Sequence, residues 1–243
     1  MMVRIGLCKE YMKALYRLLK DIGVIGLFKS LRFNFRYFPM KVAWRLPVLL
    51  HKNVKVVNMH CGAIEFTDKV RTGTVRFGLL DLDTTPPVPT IINIEGKIIV
   101  HGSSMHSFAP GAALWVAVNG TLELGDNFTA SGYTKILCYK HIVVGKDNMW
   151  SFYNIIMDGD SHKIYNKNGI LENNNETVVI GDHVWLGCRC TVLKGTHIAD
   201  NTIVGANSFI RKDITEEHTI CAGDGPSVIK SDMYWERTLN LIN

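Results

Sequence analysis

The chain has 243 residues, 47% of them hydrophobic and 20% charged, a globular balance that excludes a disordered or low-complexity protein. Its net charge of +5 is unevenly placed: residues 1–55 carry twelve Lys/Arg against two acids, Glu10 and Asp21, a net of +10, which leaves −5 on the remainder. No apolar run approaches the ~18 residues of a membrane span, and six cysteines without a CxxC pair suit free thiols in a reducing compartment better than a zinc cage or disulfide framework.

Leu7, Tyr11, Leu15, Leu18 and Ile22 recur at helical spacing with Lys9, Lys13, Arg17 and Lys20 between them, which predicts an amphipathic helix over residues 5–22. The following SLRFNFRYF alternates Leu31, Phe33, Phe35 and Tyr37 with Arg32, Asn34 and Arg36, a period of two that predicts a short strand or an interfacial ribbon. The start is basic but has neither the apolar stretch nor the small-residue cleavage site of a signal peptide, so a cytoplasmic location is expected. Residues 1–55 read as a basic arm. Through residues 1–50 it suits an anionic partner, either peripheral contact with the inner membrane face or an acidic polymer; the plain alternative is a solvated docking helix. Nucleic acid is not expected, because no recognition motif accompanies the charge.

From about residue 54 the chain turns to short Val/Ile-rich runs punctuated by Gly and Asn, with a proline-rich loop at 79–90 (LLDLDTTPPVPT). In residues 178–214 an aliphatic recurs every six residues: Ile180, Leu186, Val192, Ile198, Val204, Ile210. Two residues before each of the last five stands a smaller or β-branched residue: Val184, Cys190, Thr196, Thr202 and Ser208. Gly181, Gly187 and Gly205 directly follow three of the aliphatics, where they are expected to relieve tight corners. A period of six is neither helical nor the alternation of a flat sheet. It is the repeat of a parallel β-helix, in which each hexad forms one side of a triangular coil and points its aliphatic inward. Val144, Trp150 and Ile156 keep the same phase, while Leu124, Ala130 and Ile136 are displaced by two. The reading is an all-β body over 56–223, with the arm covering one end and residues 224–243, where Pro226 precedes a short helix, covering the other.

Residues 155–165, before the run that resumes at Ile180, read IIMDGDSHKIY. It is either a capped surface turn or the seat of a catalytic base. His162 has the ring for that chemistry, with an ordinary pKa near 6.5. Asp160 or Asp158 can orient it, and spacing does not choose between them. Gly159 is expected to bend the backbone there.

The hexads together with the ending CAGDGPSVIK resemble the left-handed β-helix, hexapeptide-repeat acyltransferases. The pairing of DGDSHKIY with GDHVWLG is similar to the branch that O-acetylates bacterial capsular and surface polysaccharides. Ala222, Gly223 and Pro226 match that family's exit from the coil, with one extra residue and with Ser227 and Val228 departing from the pattern. The resemblance implies a left-handed coil, a homotrimer, acetyl-CoA as co-substrate, a sugar or polysaccharide acceptor, and no metal. It implies that His162 is the general base, with Asp160 beside it. Trp185, Asp158 and Tyr165 would meet the acceptor, with Trp185 stacking on a sugar ring or walling the acetyl tunnel. A backbone N–H near Trp185–Gly187 would serve the oxyanion. Gly187, Gly205 and Ala206 would leave a coil edge open to CoA, and Arg211, Lys212 and Lys230 would meet its phosphates. Three rivals accompany this reading. One is an N-acetyltransferase of an amino sugar or antibiotic. Another is a gamma-type carbonic anhydrase using His101 and His106 with His141, His183 or His197. The third is a non-catalytic scaffold.

Overall fold

The structure is a computed structural model that describes residues 2–79 and 88–237, with backbone alone for residues 2–15, 17 and 18. Residues 80–87, most of the expected proline-rich loop, lie outside it. A helix, α1 (Met2–Tyr37), leads through α2 (Met40–Ala43) into the β body. The described strands form three sheets of nine, seven and six members. The chain visits the sheets in fixed rotation. Within each sheet the strands pair in parallel, apart from one antiparallel pairing at the C-terminal end. That is a three-sided coil.

The predicted hexad aliphatics are the wall of its core: Ile180, Leu186, Val192, Ile198, Val204 and Ile210 are all fully buried, as are Val144, Trp150 and Ile156. Val184, Cys190, Thr196, Thr202 and Ser208, two residues before each aliphatic, are buried too. The period follows from how each side is built. Two strand residues point one in and one out, and a corner then turns the chain. His183, Arg189, Gly195, Asn201 and Asn207, at intervals of six, all adopt positive φ between 54° and 74°. The left-handed corner therefore falls three residues before each aliphatic. Only Gly195 adopts it without steric cost; in His183 and Arg189 it must be held by surrounding contacts.

The glycines expected to relieve corners do something else. Gly181, Gly187 and Gly205 are not among the residues with positive φ. A Cβ on Gly187 would sit 2.7 Å from the Ala206 nitrogen and 2.8 Å from the Val204 oxygen, and one on Gly205 would sit 2.9 Å from Ala222 Cβ. They are small because the next coil lies directly against them.

Coil length explains why the repeat is plain only near the C-terminus. Ile98 pairs with Leu122, 24 residues on, and Ile92 with Leu114, 22 on. Leu122 pairs with Ile142, 20 on, and Leu186 with Val204, 18 on. Only the last coils reach the three-hexad minimum. The displacement by two between Ile136 and Val144 is a longer corner at Tyr139 and Lys140, between the strands Lys135–Cys138 and His141–Val144. On the first sheet, small Ala130 stands beside a run of rings: Phe77, Phe108, Phe128 and Trp150 contact one another in succession, with centroids 4.7–5.3 Å apart.

Two expectations are corrected at the ends. SLRFNFRYF is neither strand nor ribbon, because α1 continues to Tyr37. Its alternation coexists with a helical period, since Ile22, Ser30, Phe33, Asn34 and Phe38 are buried on one face. That face closes the open edge of the first coil. Asn34 donates from Nδ2 to the Val48 carbonyl at 2.7 Å and accepts from the Val48 N–H at 3.1 Å, in place of a neighbouring strand. Ser30 Oγ accepts from the Leu50 N–H at 2.9 Å. At the other end, no helix follows Pro226 among the described residues. Ser227–Lys230 instead turns back antiparallel on Ile220–Ala222, covering a sheet edge that would otherwise be exposed. Residues 238–243 of the expected helix lie outside the described residues.

Candidate active site

His162 stands on the one large excursion of the C-terminal coils. Val144 pairs with Ile180, 36 residues later and on the adjacent coil. The chain has therefore inserted 18 residues into an 18-residue turn, which preserves the hexad phase numerically while leaving the coil. The excursion begins after the strand Ile155–Met157, at the edge between the second and third sheets, and its neck is closed by the Glu176 N–H donating to the Asp158 carbonyl at 2.9 Å.

Asp158 is the anchor of that neck. Its fully buried carboxylate accepts backbone N–H bonds from Tyr139, Lys140 and His141 at 2.6–2.8 Å. The same contacts organise the long corner of the coil above. A carboxylate so enclosed does not meet an acceptor sugar, which corrects that expectation. Gly159 lies in the bend expected of it, without a left-handed backbone. Its φ is not positive, whereas that of Ser161 is 65°. Gly159 is glycine because a Cβ would lie 2.3 Å from Asn175 Oδ1.

Asp160 faces Lys194, whose Nζ donates to Oδ2 at 2.5 Å, and receives a second bond from Asn173 Nδ2 at 3.0 Å. The lysine hydrogen bond, against the smaller effect of desolvation, holds the Asp160 carboxyl below its ordinary value. His162 is fixed by its backbone: its N–H donates to the Asp160 carbonyl at 2.7 Å, and its carbonyl accepts from Asn173 Nδ2 at 2.7 Å. Among the described residues neither Asp158 nor Asp160 bonds the ring, so the expected carboxylate orienter is not realised in the single chain. The imidazole is exposed and has no partner among the described residues, on a backbone that is tied down. Asn173 also accepts from the Ile164 N–H at 2.6 Å, and Tyr139 and Ser161 join hydroxyls across the base of the loop. Asn173, Lys194 and Tyr139 carry no motif spacing. Lys194 would be found only by knowing that the insertion equals one coil. Tyr165, exposed further out, bridges to Leu171 in a small hairpin.

Trp185 lies one coil further but at another edge. It opens the strand Trp185–Leu186 on the first sheet, half-buried, with Nε1 donating to Ser151 Oγ at 3.2 Å. The third sheet separates that edge from the His162 loop, so one chain does not bring the two side chains together. The C-terminal tail covers this region instead. Trp235 stacks on His183 and stands 6.1 Å from the Trp185 ring. Arg237 bonds Asp147, Thr129 and the carbonyls of Asn127 and Asn148.

The residues expected beside CoA divide among edges. Arg211 and Lys212 follow the strand Phe209–Ile210, two coils beyond Ile155–Met157 in the same sheet, and so leave the coil at the His162 edge. Arg211 pairs with Asp224 at 3.1 Å; Lys212 is exposed with no side-chain partner among the described residues. With Lys194 they line one edge with cations, which fits a phosphate-bearing ligand. Gly187, Gly205 and Ala206 follow first-sheet strands at a different edge, where coil stacking accounts for the glycines. Lys230 ends the antiparallel strand on the first sheet.

Four of the five histidines of the anhydrase reading have ring partners, and His197 is exposed with only its backbone N–H bonded, to Asp213. His101 and His141 share the Glu123 carboxylate at 3.2 and 2.7 Å, buried His106 bonds the Gly125 carbonyl, and His183 bonds Asp147. Among the described residues no three His, Cys, Asp or Glu side chains gather as a metal site.

Residues 177–212 match the family described as bacterial transferase hexapeptide (six repeats). The polysialic acid O-acetyltransferase OatWY superposes with a TM-score of 0.52 at 23% identity, covering 74% of this chain and 90% of that one. The chain carries the bacterial-transferase hexapeptide repeat on a left-handed β-helix. Among curated proteins, WbbJ of Escherichia coli strain K12, named for O-acetyl transfer in lipopolysaccharide biosynthesis, is 31% identical over 120 residues, 46% of this chain and 61% of that one. The polysialic acid O-acetyltransferase of Neisseria meningitidis is 46% identical over 55 residues, 22% of this chain and 26% of that one. The chain spans 61% of WbbJ and 57% of the E. coli galactoside O-acetyltransferase, about three fifths of the first curated relatives it matches.

Proposed function

We propose that this chain is an acetyl-CoA-dependent O-acetyltransferase acting on a sugar hydroxyl of a bacterial surface glycan in the cytoplasm, with His162 as general base. The observation that carries the reading is an exposed imidazole, unpartnered among the described residues, on a pinned loop at the coil edge that also bears Lys194, Arg211 and Lys212. The named relatives support the choice of a hydroxyl acceptor, since WbbJ and the meningococcal enzyme bear names for O-acetyl transfer.

Acetyl-CoA supplies an acyl group already activated as a thioester. The hydroxyl is the weak partner, and a base must remove its proton during attack. His162 takes that proton as the oxygen bonds to the acetyl carbon, then returns it to the departing sulfur as the C–S bond breaks. Such a base contributes about 10²–10⁴-fold. Lys212 and Arg211 would meet the phosphates. Because Trp185 occupies a different edge from His162, the complete site requires a neighbouring copy. A homotrimer, in which the edge of one coil faces a side of the next, supplies it.

Labelled acetyl-CoA incubated with candidate surface glycans, followed by NMR location of the ester, tests the assignment. An O-acetyl ester on a sugar supports it. An acetamide on an amino sugar would move the reading to N-acetyl transfer, and no transfer to any acceptor would favour a scaffold.

A further inference from the structure

We propose that the outer face of α1 beyond Gly23, together with α2, is a docking surface for an anionic phospholipid bilayer. Gly23 breaks the helical geometry with φ 69° and ψ 168°. From Val24 onward α1 lies across the end of the coil, held by Ser30 and Asn34 and by Lys29, whose Nζ donates to the carbonyls of Lys52 and Val54. A Cβ on Gly26 would lie 2.7 Å from the Leu50 oxygen. The inward face is therefore fully committed to the first coil.

The face turned away is apolar where solvent would favour polar residues. Val24 and Ile25 are each 61% exposed, Phe28 67%, Met40 59% and Trp44 71%. Trp44 stands edge-on to half-buried Phe35, with centroids 5.0 Å apart, which ties α2 to the α1 stripe that carries Phe28, one heptad before Phe35. Along the same segments lie Arg32, Arg36, Lys41 and Arg45, all exposed; none of them forms an ion pair among the described residues, and Arg45 donates only to the Val70 carbonyl at 3.3 Å. Between Lys20 and Arg45 the only acid is Asp21. A merely solvated helix would mix both signs.

A soluble polyanion would be bound by the cations and would leave Phe28 and Trp44 without a role. A face that buries itself against a second copy would not keep four cations without an acidic partner. Apolar and aromatic side chains set among basic ones are what an interfacial helix presents to headgroups and the outer acyl region. Among the described residues no helix is long and apolar enough to cross a membrane, so the contact is peripheral. The surface lies at the N-terminal end of the coil and does not depend on the acyl-transfer reading.

The test is flotation of the full-length protein with vesicles of phosphatidylcholine alone or with about 30% phosphatidylglycerol, at low and high salt. The protein should bind anionic vesicles at least about tenfold better than neutral ones, and less in high salt. The double variant I25S/F28S, altered at exposed positions, should lose that binding with its melting temperature unchanged. Equal binding by wild type and I25S/F28S overturns the proposal in favour of charge alone, as does retention on an anionic polymer column with no flotation. Absence of flotation, with a sedimenting mass that falls in I25S/F28S, would assign the face to a second copy.

Discussion

Trp235 and His183 lie ring on ring, 4.1 Å apart and within 6° of parallel, and exchange hydrogen bonds: the Trp235 Nε1–H donates to the His183 carbonyl at 2.9 Å, and His183 Nε2 bonds the Trp235 carbonyl at 3.0 Å. The pair fastens the C-terminal tail across two coils. It also holds His183 in a left-handed corner that its side chain would otherwise disfavour. On the other side of the ring, Asp147 receives both His183 and Arg237; burial opposes its ionisation, but those two partners outweigh it and hold its carboxyl below the ordinary value. Replacing Trp235 by Ala should cost about 3 kcal/mol, a fall in melting temperature of about 10 °C. It should also expose Trp185, read as increased tryptophan quenching by acrylamide.

The loop that carries His162 is positioned by Asn173, which bonds Asp160, the His162 carbonyl and the Ile164 N–H. Asn173→Ala removes all three bonds, two of them exposed and the one to Asp160 part-buried. Turnover should fall about tenfold while the coil's melting temperature moves by less than about 2 °C, because such surface losses are small next to core burial. An equal fall in kcat for N173A and H162A would make the loop's order the whole effect.

The Asp160–Lys194 pair has a definite pH signature. A carboxyl held below its ordinary value contributes stability above the unfolded-state pKa of about 3.9 and loses it as pH falls through the folded value. Asp160→Asn should therefore loosen the loop at pH 6, measured by hydrogen exchange at residues 160–173. The difference from wild type should begin to shrink near pH 4 and vanish only as pH falls through the lower folded value.

Gly187 separates two accounts of the coil edge. If its smallness serves stacking, Gly187→Ala must push on the Ala206 nitrogen and Val204 oxygen, costing about 2 kcal/mol and lowering the melting temperature by about 5 °C. If it serves CoA, the KM for acetyl-CoA rises with no thermal change. The geometry predicts the first.

Much of this was readable without coordinates. Ile180 through Ile210 and their small partners announce the coil, because an 18-residue turn leaves no residue outside the six-residue phase. The earlier coils hide it: a corner lengthened at Tyr139 and Lys140 shifts the phase, and no local rule says where a corner may grow. The arm misled in one stretch, since Phe33, Phe35 and Tyr37 satisfy a period of two while Ser30 and Asn34, polar yet buried, complete a helical face. Polar residues that replace a missing strand do not register as core. At the candidate site the polar turn that carries His162 stands out in the sequence, and the residues that hold it do not. Asn173 and Lys194 meet Asp160 only because the insertion returns the chain one coil lower, and Asp158, acidic and apparently exposed in sequence, is consumed by three backbone N–H groups.

The central claim rests on the exposed imidazole of His162. Transfer of labelled acetyl from acetyl-CoA to a glycan acceptor, compared between wild type and His162→Ala, is its most direct measurement. A loss of about 10²–10⁴-fold with an unchanged melting temperature is the predicted result; turnover equal to wild type would contradict it.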